Sequence, residues 1–433
     1  MKKKAILIVA LLICIGFCFL LWQQYARLSD KLLAHLEHNK IHIGKIENHI
    51  FPIQLSLYQI HSEQKQAFSI EKIVLDINFT ALFGGNIEFN QIQISNGQFS
   101  SFSGQNINLT LKNTALSLQD ISDLSPLWER NEIPNLSQSK SMEIIVLAKK
   151  EASDLKLQGK LQVEKGYLIF SALQGQWQFA QPLYANVKAF TFSNTKARLS
   201  LEEERYLLSF NHLTVNNTLF SKGKIQLAFQ PHFIYGQADL LSQGKFNFYF
   251  SQMPSHLEFI AQNVLFEQWL NVLQLPSVAT GIAQLEGKLF FNQHSMTEGN
   301  LKAIVTNGKV KNLNLLAIIA QRFPINFDEQ ALQNMHTDFT QLKANLHWEP
   351  QQIQWKDLQL ESGYFRLVGE GVMSPVNQQC DFLLNLGLQE KKYQSIKLPL
   401  HFFGNCTSPQ YEIKSIDNWK NQLRNLLKQH FSH

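Results

Sequence analysis

The sequence predicts a mainly β protein: an N-terminal transmembrane helix, then an elongated, curved antiparallel β-sheet forming a groove with an apolar inner face. A few short helices and a C-terminal amphipathic helix complete the expectation. Three observations carry it. Apolar residues recur at every second position over most of the chain. In "KFNFYF", for example, Phe246, Phe248 and Phe250 share one face while Lys245, Asn247 and Tyr249 share the other. Turn-forming pairs, Gly84-Gly85, Asn96-Gly97, Asn307-Gly308 and Ser362-Gly363, separate these runs at short intervals. A lysine-flanked apolar run opens the chain.

That run follows Lys2, Lys3 and Lys4 and reads "AILIVALLICIGFCFLLW" from Ala5 to Trp22. Roughly 18 apolar residues are just long enough to span a bilayer as a helix. The lysines belong on the cytoplasmic side, so the rest of the chain belongs outside, with Trp22 and Tyr25 suited to the far interface. The competing reading is a cleaved signal peptide. The bulky stretch "FLLWQQYARLSD" offers no small-x-small cleavage site. Neither Cys14, after Ile13, nor Cys18, after Phe17, has the small residue that a lipoprotein signal places before its Cys. The expectation is an uncleaved signal anchor over residues 5–25, with residues 1–4 in the cytoplasm.

The body after the anchor divides, on patterning, into residues 26–120, 121–260 and 261–433. The chain of 433 residues has 17% charged side chains, against roughly 25% in an average soluble domain. Gln, Asn and Ser take their place on the polar faces. An apolar content of 45% and a net charge of +5 exclude a disordered chain. The 32 phenylalanines supply material for apolar sheet faces. Lysines alternate with aromatics on several strands but form no basic patch, so nucleic acid is not an expected partner.

One phrase occurs twice. "NIEFNQIQISNGQFSSFSG" from Asn86 matches "QIQWKDLQLESGYFRLVGEG" from Gln352, without a gap. Ile87, Phe89, Ile92, Gln93, Ile94, Gly97 and Phe99 correspond to Ile353, Trp355, Leu358, Gln359, Leu360, Gly363 and Phe365. Phe89 and Ile92 differ in parity, so a bulge or tight turn must shift the phase between them. Asn96-Gly97 should then turn the chain, with Phe99 starting the returning strand. The residues expected to line the apolar groove are Ile92, Ile94 and Phe99 in the first copy and Leu358, Leu360, Phe365 and Leu367 in the second. Phe246, Phe248 and Phe250 are expected to line it between them.

Helical spacing is confined to three places. "FEQWLNVLQL", Phe266 to Leu275, and "NLNLLAIIAQRF", Asn312 to Phe323, each stop at a proline. "DNWKNQLRNLLKQHF" carries Trp419, Leu423, Leu426 and Leu427 on one stripe, suited to packing against the end of the fold, with a partner or membrane surface as the other reading. Beyond Cys14 and Cys18, only Cys380 and Cys406 remain. They flank two strands, "CDFLLNL" and "KLPLHFFGNC", joined by the polar "QEKKYQS". A hairpin would bring them to one end, where an oxidising compartment allows pairing; two unpaired buried thiols are the other reading.

No constellation for catalysis stands out. There is no phosphate-cradling glycine loop, no nucleophile elbow and no Cys pair at metal spacing. His35, His38, His42 and His49 are not ordered as ligands of one metal, and Asp328-Glu329 reads as surface or helix cap. The chain is therefore not expected to be an enzyme, or to carry a metal or cofactor.

The last third of the chain resembles the AsmA family of bacterial envelope proteins. The likeness rests on "TGIAQLEGKLFF" from Thr280, then "EGNLKAIVTNGKVKNLNLLAII", with Asn314-Leu315 where the family usually has Asp-Leu. It continues through "TDFTQLKANLHWEPQQIQWKDLQLESGYFRLVGEGVMSP", with Gly369, Gly371 and Val372 at a Gly-x-Gly-x-hydrophobic step. It closes on "LPLHFFGNCTSPQYEI", with Gly404 and Pro409. The resemblance implies a single-pass inner-membrane anchor and a periplasmic body. It also implies binding or transfer of phospholipid along the groove, in support of outer-membrane lipid homeostasis and assembly. The implied partners are phospholipid, the inner membrane, and periplasmic or outer-membrane assembly proteins. The alternative is an assembly factor that binds protein partners and carries no lipid.

Overall fold

In the computed structural model, the described residues are 30, 34, 41–49, 52–62, 68–83, 88–99, 106–117, 120, 140–150, 153–164, 166–202, 205–229, 232–240, 244–292, 295–321, 329–390, 393–394 and 397–414. They are mainly β, with 22 strands of antiparallel sheet and four short helices. The expected anchor over 5–25, the C-terminal amphipathic segment and the turn at Gly84-Gly85 lie outside the described residues. Among the described residues, no helix is long and apolar enough to cross a membrane.

The chain divides into two units. Unit 1 comprises Met1–Trp177 with Thr195–Tyr206. Its strands begin with β1 (Ile41–His49), β2 (Gln54–Ser62), β3 (Phe68–Ile77), β4 (Glu88–Phe99), β5 (Asn106–Ser117), β6 (Lys140–Lys150) and β7 (Ser153–Glu164). Each of these pairs antiparallel with the next, a meander that alternating apolar and polar residues can form. A short helix, α1 (Phe79–Phe83), follows β3. One core cluster gathers Leu55, Leu57, Ile60, Ile70, Leu75, Ile77 and Phe89. Another gathers Leu116, Met142, Leu161 and Val163.

Unit 2 comprises Gln178–Asn194 with Leu207–His433. β8 (Tyr167–Phe179), β9 (Ala189–Glu202) and β10 (Arg205–Val215) have residues in each unit. A second meander follows within unit 2. It runs through β11 (Thr218–Phe229), β12 (His232–Leu240), β13 (Lys245–Gln252), β14 (Ser255–Leu265), β15 (Ala279–Phe291) and β16 (Met296–Lys311). It continues through β17 (His336–Trp348), β18 (Ile353–Glu361), β19 (Phe365–Ser374), β20 (Gln379–Leu388), β21 (Lys397–Asn405) and β22 (Gln410–Ile413). Consecutive strands from β11 to β22 pair antiparallel. Three helices sit in the connections: α2 (Phe266–Val272), α3 (Leu315–Ala320) and α4 (Glu329–Gln333).

The two helical segments are shorter than their apolar spacing predicts. α2 ends at Val272, and Leu273 and Gln274 form a turn before Leu275 and Pro276. α3 starts only at Leu315 because Asn314 caps it: its Oδ1 accepts from the Ala317 N–H at 2.9 Å.

The repeated phrase makes a structure that repeats in its phase slip but not in its turn. In the second copy, Ser362 to Tyr364 turn the chain between β18 and β19, closed by Ser362 N–H donating to the Phe365 carbonyl at 2.9 Å. In the first copy, β4 runs straight through Asn96-Gly97, and Phe99 is its last residue, paired with Phe68 of β3. The expected turn is instead a bulge. Asn96 adopts φ 51°, and the register on β5 slips between Ile94 and Gly97. An asparagine tolerates this left-handed conformation better than most residues. Asn307-Gly308 behaves likewise: Asn307 has φ 50° inside the unbroken β16, and the register slips against β15 between Thr280 and Ile282. The phase shift expected between Phe89 and Ile92, and between Trp355 and Leu358, is present as a register slip in both copies. It keeps Phe89 with Ile92, and Ile353 with Leu358, on one face.

Candidate functional site

The alternation gives unit 2 one apolar face. From β14 to β21 it carries Ala261, Val264, Ala283, Leu285, Leu289, Ala303, Val305, Phe339, Leu346, Leu360, Leu386 and Leu400, all buried. The opposite face carries charges. Lys288 Nζ lies 2.6 Å from Glu258 Oε1 across β14 and β15, and this contact holds the Glu258 carboxyl below its usual range. Ion pairs of this kind, exposed to water, contribute little to stability.

The expected groove residues fall into distinct environments. Leu358, Leu360, Phe365 and Leu367 are fully packed, at 7%, 3%, 1% and 2% exposure. Phe246, Phe248 and Phe250 on β13 are half-buried. Phe246 packs against Phe248 at 5.6 Å between ring centroids, and Phe250 lies 6.4 Å from Phe291 of β15. Phe248 stands opposite Gly236 of β12, and its ring covers that glycine so closely that a Cβ there would clash with the ring. In unit 1, Ile92 and Ile94 are half-buried against the cluster around Phe89. The side chain of Phe99 lies outside the described residues.

Two features of unit 2 cover its apolar face. α2 places Trp269 over β13 and β14, with ring centroids 4.5 Å from Phe246 and 6.2 Å, nearly parallel, from Phe259. The connection between β8 and β9 forms a strap. Leu183 accepts from the Met296 N–H of β16 at 2.9 Å. The Tyr184 hydroxyl donates to the Leu273 carbonyl at 2.8 Å, and Asn186 Nδ2 donates to the Val376 carbonyl at 2.8 Å. The Tyr184 ring meets Trp348 edge-on at 5.3 Å. Tyr184 and Val187 are 5% and 3% exposed, and this burial pushes the Tyr184 hydroxyl above its ordinary pKa. The strap's residues, "QPLYANV", show no periodic pattern, so sequence reading passes over them.

The covered face contains orphaned polar atoms. The indole N–H groups of Trp269, Trp348 and Trp355 are buried with no hydrogen-bond partner, as is Gln268 Oε1. Neighbouring residues on the face are apolar: Trp348 stands opposite Ile353, and Trp355 opposite Leu346, with Phe382 at 5.9 Å from it. By contrast, a depression of about 500 Å³ in unit 1 is lined by polar side chains, among them Gln59, His61, Glu71 and Asn96. Among the described residues, no group of three His, Cys, Asp or Glu side chains is placed to hold a metal ion.

Cys380 and Cys406 are joined as a disulfide, with Cα atoms 5.2 Å apart. The β20–β21 register explains the approach: Cys380 stands opposite Gly404, and the Cys406 N–H donates to the Gln378 carbonyl at 2.8 Å.

The chain is similar along nearly its whole length to an uncharacterized protein of Haemophilus influenzae. The two are 27% identical over 432 residues, which cover 99% of each chain. No family model matches the chain. No solved structure matches it.

Proposed function

We propose that this is an inner-membrane-anchored periplasmic protein that binds or transfers phospholipid along an apolar β-sheet face and so supports outer-membrane lipid homeostasis and assembly. The observation that carries the reading is the half-buried row Phe246, Phe248 and Phe250, beside Leu257 and Phe259 of β14 and Phe291 of β15. A sheet with a continuous apolar face must cover it. Here the aromatic row is only partly covered, whereas Leu358, Leu360, Phe365, Leu367, Leu386 and Leu400 are fully packed. Acyl chains suit such a row, since each buried methylene contributes about 0.8 kcal/mol. The lysine-flanked apolar run and the AsmA resemblance supply the membrane and the compartment.

A second reading, an assembly factor that carries no lipid, is favoured by one observation: the strap and Trp269 fill part of the face with the protein's own side chains. A native mass spectrum of the detergent-extracted full chain separates the two. Bound phospholipid supports the first reading, and its absence supports the second. Phe248→Glu sharpens the test, because an unpaired carboxylate among acyl chains is strongly unfavourable. Loss of lipid with a near-normal melting curve supports a lipid-bearing face. Collapse of the melting curve, in a protein that held no lipid, supports a dry core. Protease added to spheroplasts tests the topology, and digestion of nearly the whole chain is expected.

A further inference from the structure

We propose that the indole N–H groups of Trp348, Trp355 and Trp269 are the polar contacts of the lipid site, donating to the ester carbonyl oxygens of an acyl lipid. The inference rests on the lipid reading above and deepens it by naming the part of the ligand that the protein recognises.

The three indoles share the apolar face of unit 2. Trp348 closes β17 and Trp355 lies on β18, where the register makes them diagonal neighbours: Trp348 opposes Ile353, and Trp355 opposes Leu346. Diagonal partners lie about 7–8 Å apart, within reach of one extended ligand group. Trp269 covers the same face from α2, beside the aromatic row of β13. Trp269 and Trp348 are only 6% and 3% exposed. A buried donor without a partner is costly, and native proteins keep few of them. The unpartnered atoms at Trp348 and Trp355 are both donors, whereas beside Trp269 the Gln268 Oε1, an acceptor, is unpartnered too.

The chemistry of the missing acceptor follows from its surroundings. A buried water needs two to four polar partners. Around Trp348 and Trp355 stand Leu346, Ile353 and Phe382, and the nearby Tyr184 hydroxyl already donates to Leu273. A water there would find at most an indole donor and the acceptor lone pair of the Tyr184 hydroxyl, the low end of what a buried water needs. A fatty-acid carboxylate would need a cation, and the buried polar residues of unit 2 (Asn194, Thr218, Thr337 and Ser362) include none. An ester carbonyl fits both limits. It accepts, it is neutral, and it belongs to a molecule that is otherwise apolar at that depth. Tyr184 packs on Trp348, so a carbonyl reaching that indole requires the strap to move aside.

The test uses the full chain in detergent and two probes, dioleoyl phosphatidylglycerol with ester-linked chains and the same lipid with ether-linked chains. The ether lipid keeps the headgroup and tails but lacks the carbonyls. The wild-type protein is expected to retain the ester lipid about threefold to tenfold better, as one or two hydrogen bonds would provide. A triple variant, Trp269→Phe with Trp348→Phe and Trp355→Phe, keeps a ring at each place and is expected to hold both lipids equally, while each single variant loses part of the preference. The comparison on the wild-type chain needs no variant, so a folding defect cannot mask it. Equal retention of the two lipids by the wild type overturns the carbonyl assignment and leaves the lipid reading standing. Retention of neither lipid overturns both. A full preference for the ester lipid that survives in the triple variant also overturns the assignment to these indoles.

Discussion

Tyr184 and Trp348 meet edge to face, with ring centroids 5.3 Å apart and planes at 82°. One residue belongs to an irregular strap and the other ends a strand much later in the chain. Their contact, with the Tyr184 hydroxyl on the Leu273 carbonyl, ties the strap to β17 and to the end of α2. Tyr184→Phe removes that hydrogen bond alone and is expected to destabilise unit 2 by about 1 kcal/mol. Tyr184→Ala also removes the buried ring and is expected to cost ~3–5 kcal/mol. Urea unfolding of the two variants measures both values. Similar losses in the two would mean that the ring contributes nothing.

Asn314 performs two tasks, and only an amide can perform both. Its Oδ1 caps α3, while Nδ2 donates to the carbonyls of Ala331, Leu332 and Asn334 at 3.0, 3.0 and 2.8 Å. An aspartate there would keep the cap but would set a carboxylate against three carbonyls. Asn314→Asp is therefore expected to destabilise the fold by about 1–3 kcal/mol. A thermal melt checks it, and an unchanged midpoint would show that the three carbonyl contacts carry no weight.

The Cys380–Cys406 bond closes a segment with a sequence separation of 26 residues. A loop of this size contributes about 3–4 kcal/mol through the restricted unfolded chain. In protein unfolded without reductant, two of the four cysteines are expected to react with a thiol reagent, and all four after reduction. Four reactive thiols before reduction would refute the bond.

His401 joins three strands on the charged face. Nδ1 lies 2.9 Å from Glu412 Oε1 of β22, and Nε2 lies 2.9 Å from Asp381 Oδ1 of β20. The hydrogen bonds to Glu412 and Asp381 raise the imidazole pKa above its ordinary value, while Lys414, 3.7 Å from Glu412, opposes the shift. The Phe403 ring also faces the imidazole, at 5.1 Å. A raised folded-state pKa means that the stabilisation is fully present below about 6.5 and is lost as pH rises through the folded value. Glu412, held below its usual range chiefly by His401, loses its contribution as pH falls through that lowered value. β22 is therefore expected to be held most firmly in mildly acidic solution. Hydrogen exchange of the Gln410 to Ile413 amides, corrected for intrinsic rates, should show protection falling from pH 6 to pH 9. In His401→Gln that dependence should vanish. An equal dependence in the variant would place its cause elsewhere.

The sequence by itself determined the strand character, the parity of the two faces and the phase slips between Phe89 and Ile92 and between Trp355 and Leu358. These follow from alternation, which is local: a residue's parity along the strand fixes its side of the sheet. The approach of Cys380 to Cys406 was legible for a similar reason, because one short hairpin joins their strands. The fate of Asn96-Gly97 was not legible. The same pair can end a strand or bulge within it, and the register against β3 and β5, with Asn108 Oδ1 accepting from the Asn96 N–H at 2.9 Å, selects the bulge. The strap was hidden for a stronger reason. Its place depends on Met296, Leu273, Trp348 and Val376, which are distant in sequence and brought together only when the meander of unit 2 has formed. The same holds for the orphaned indoles. A tryptophan in a strand pattern announces burial, but only the packed neighbours decide whether its N–H finds an acceptor.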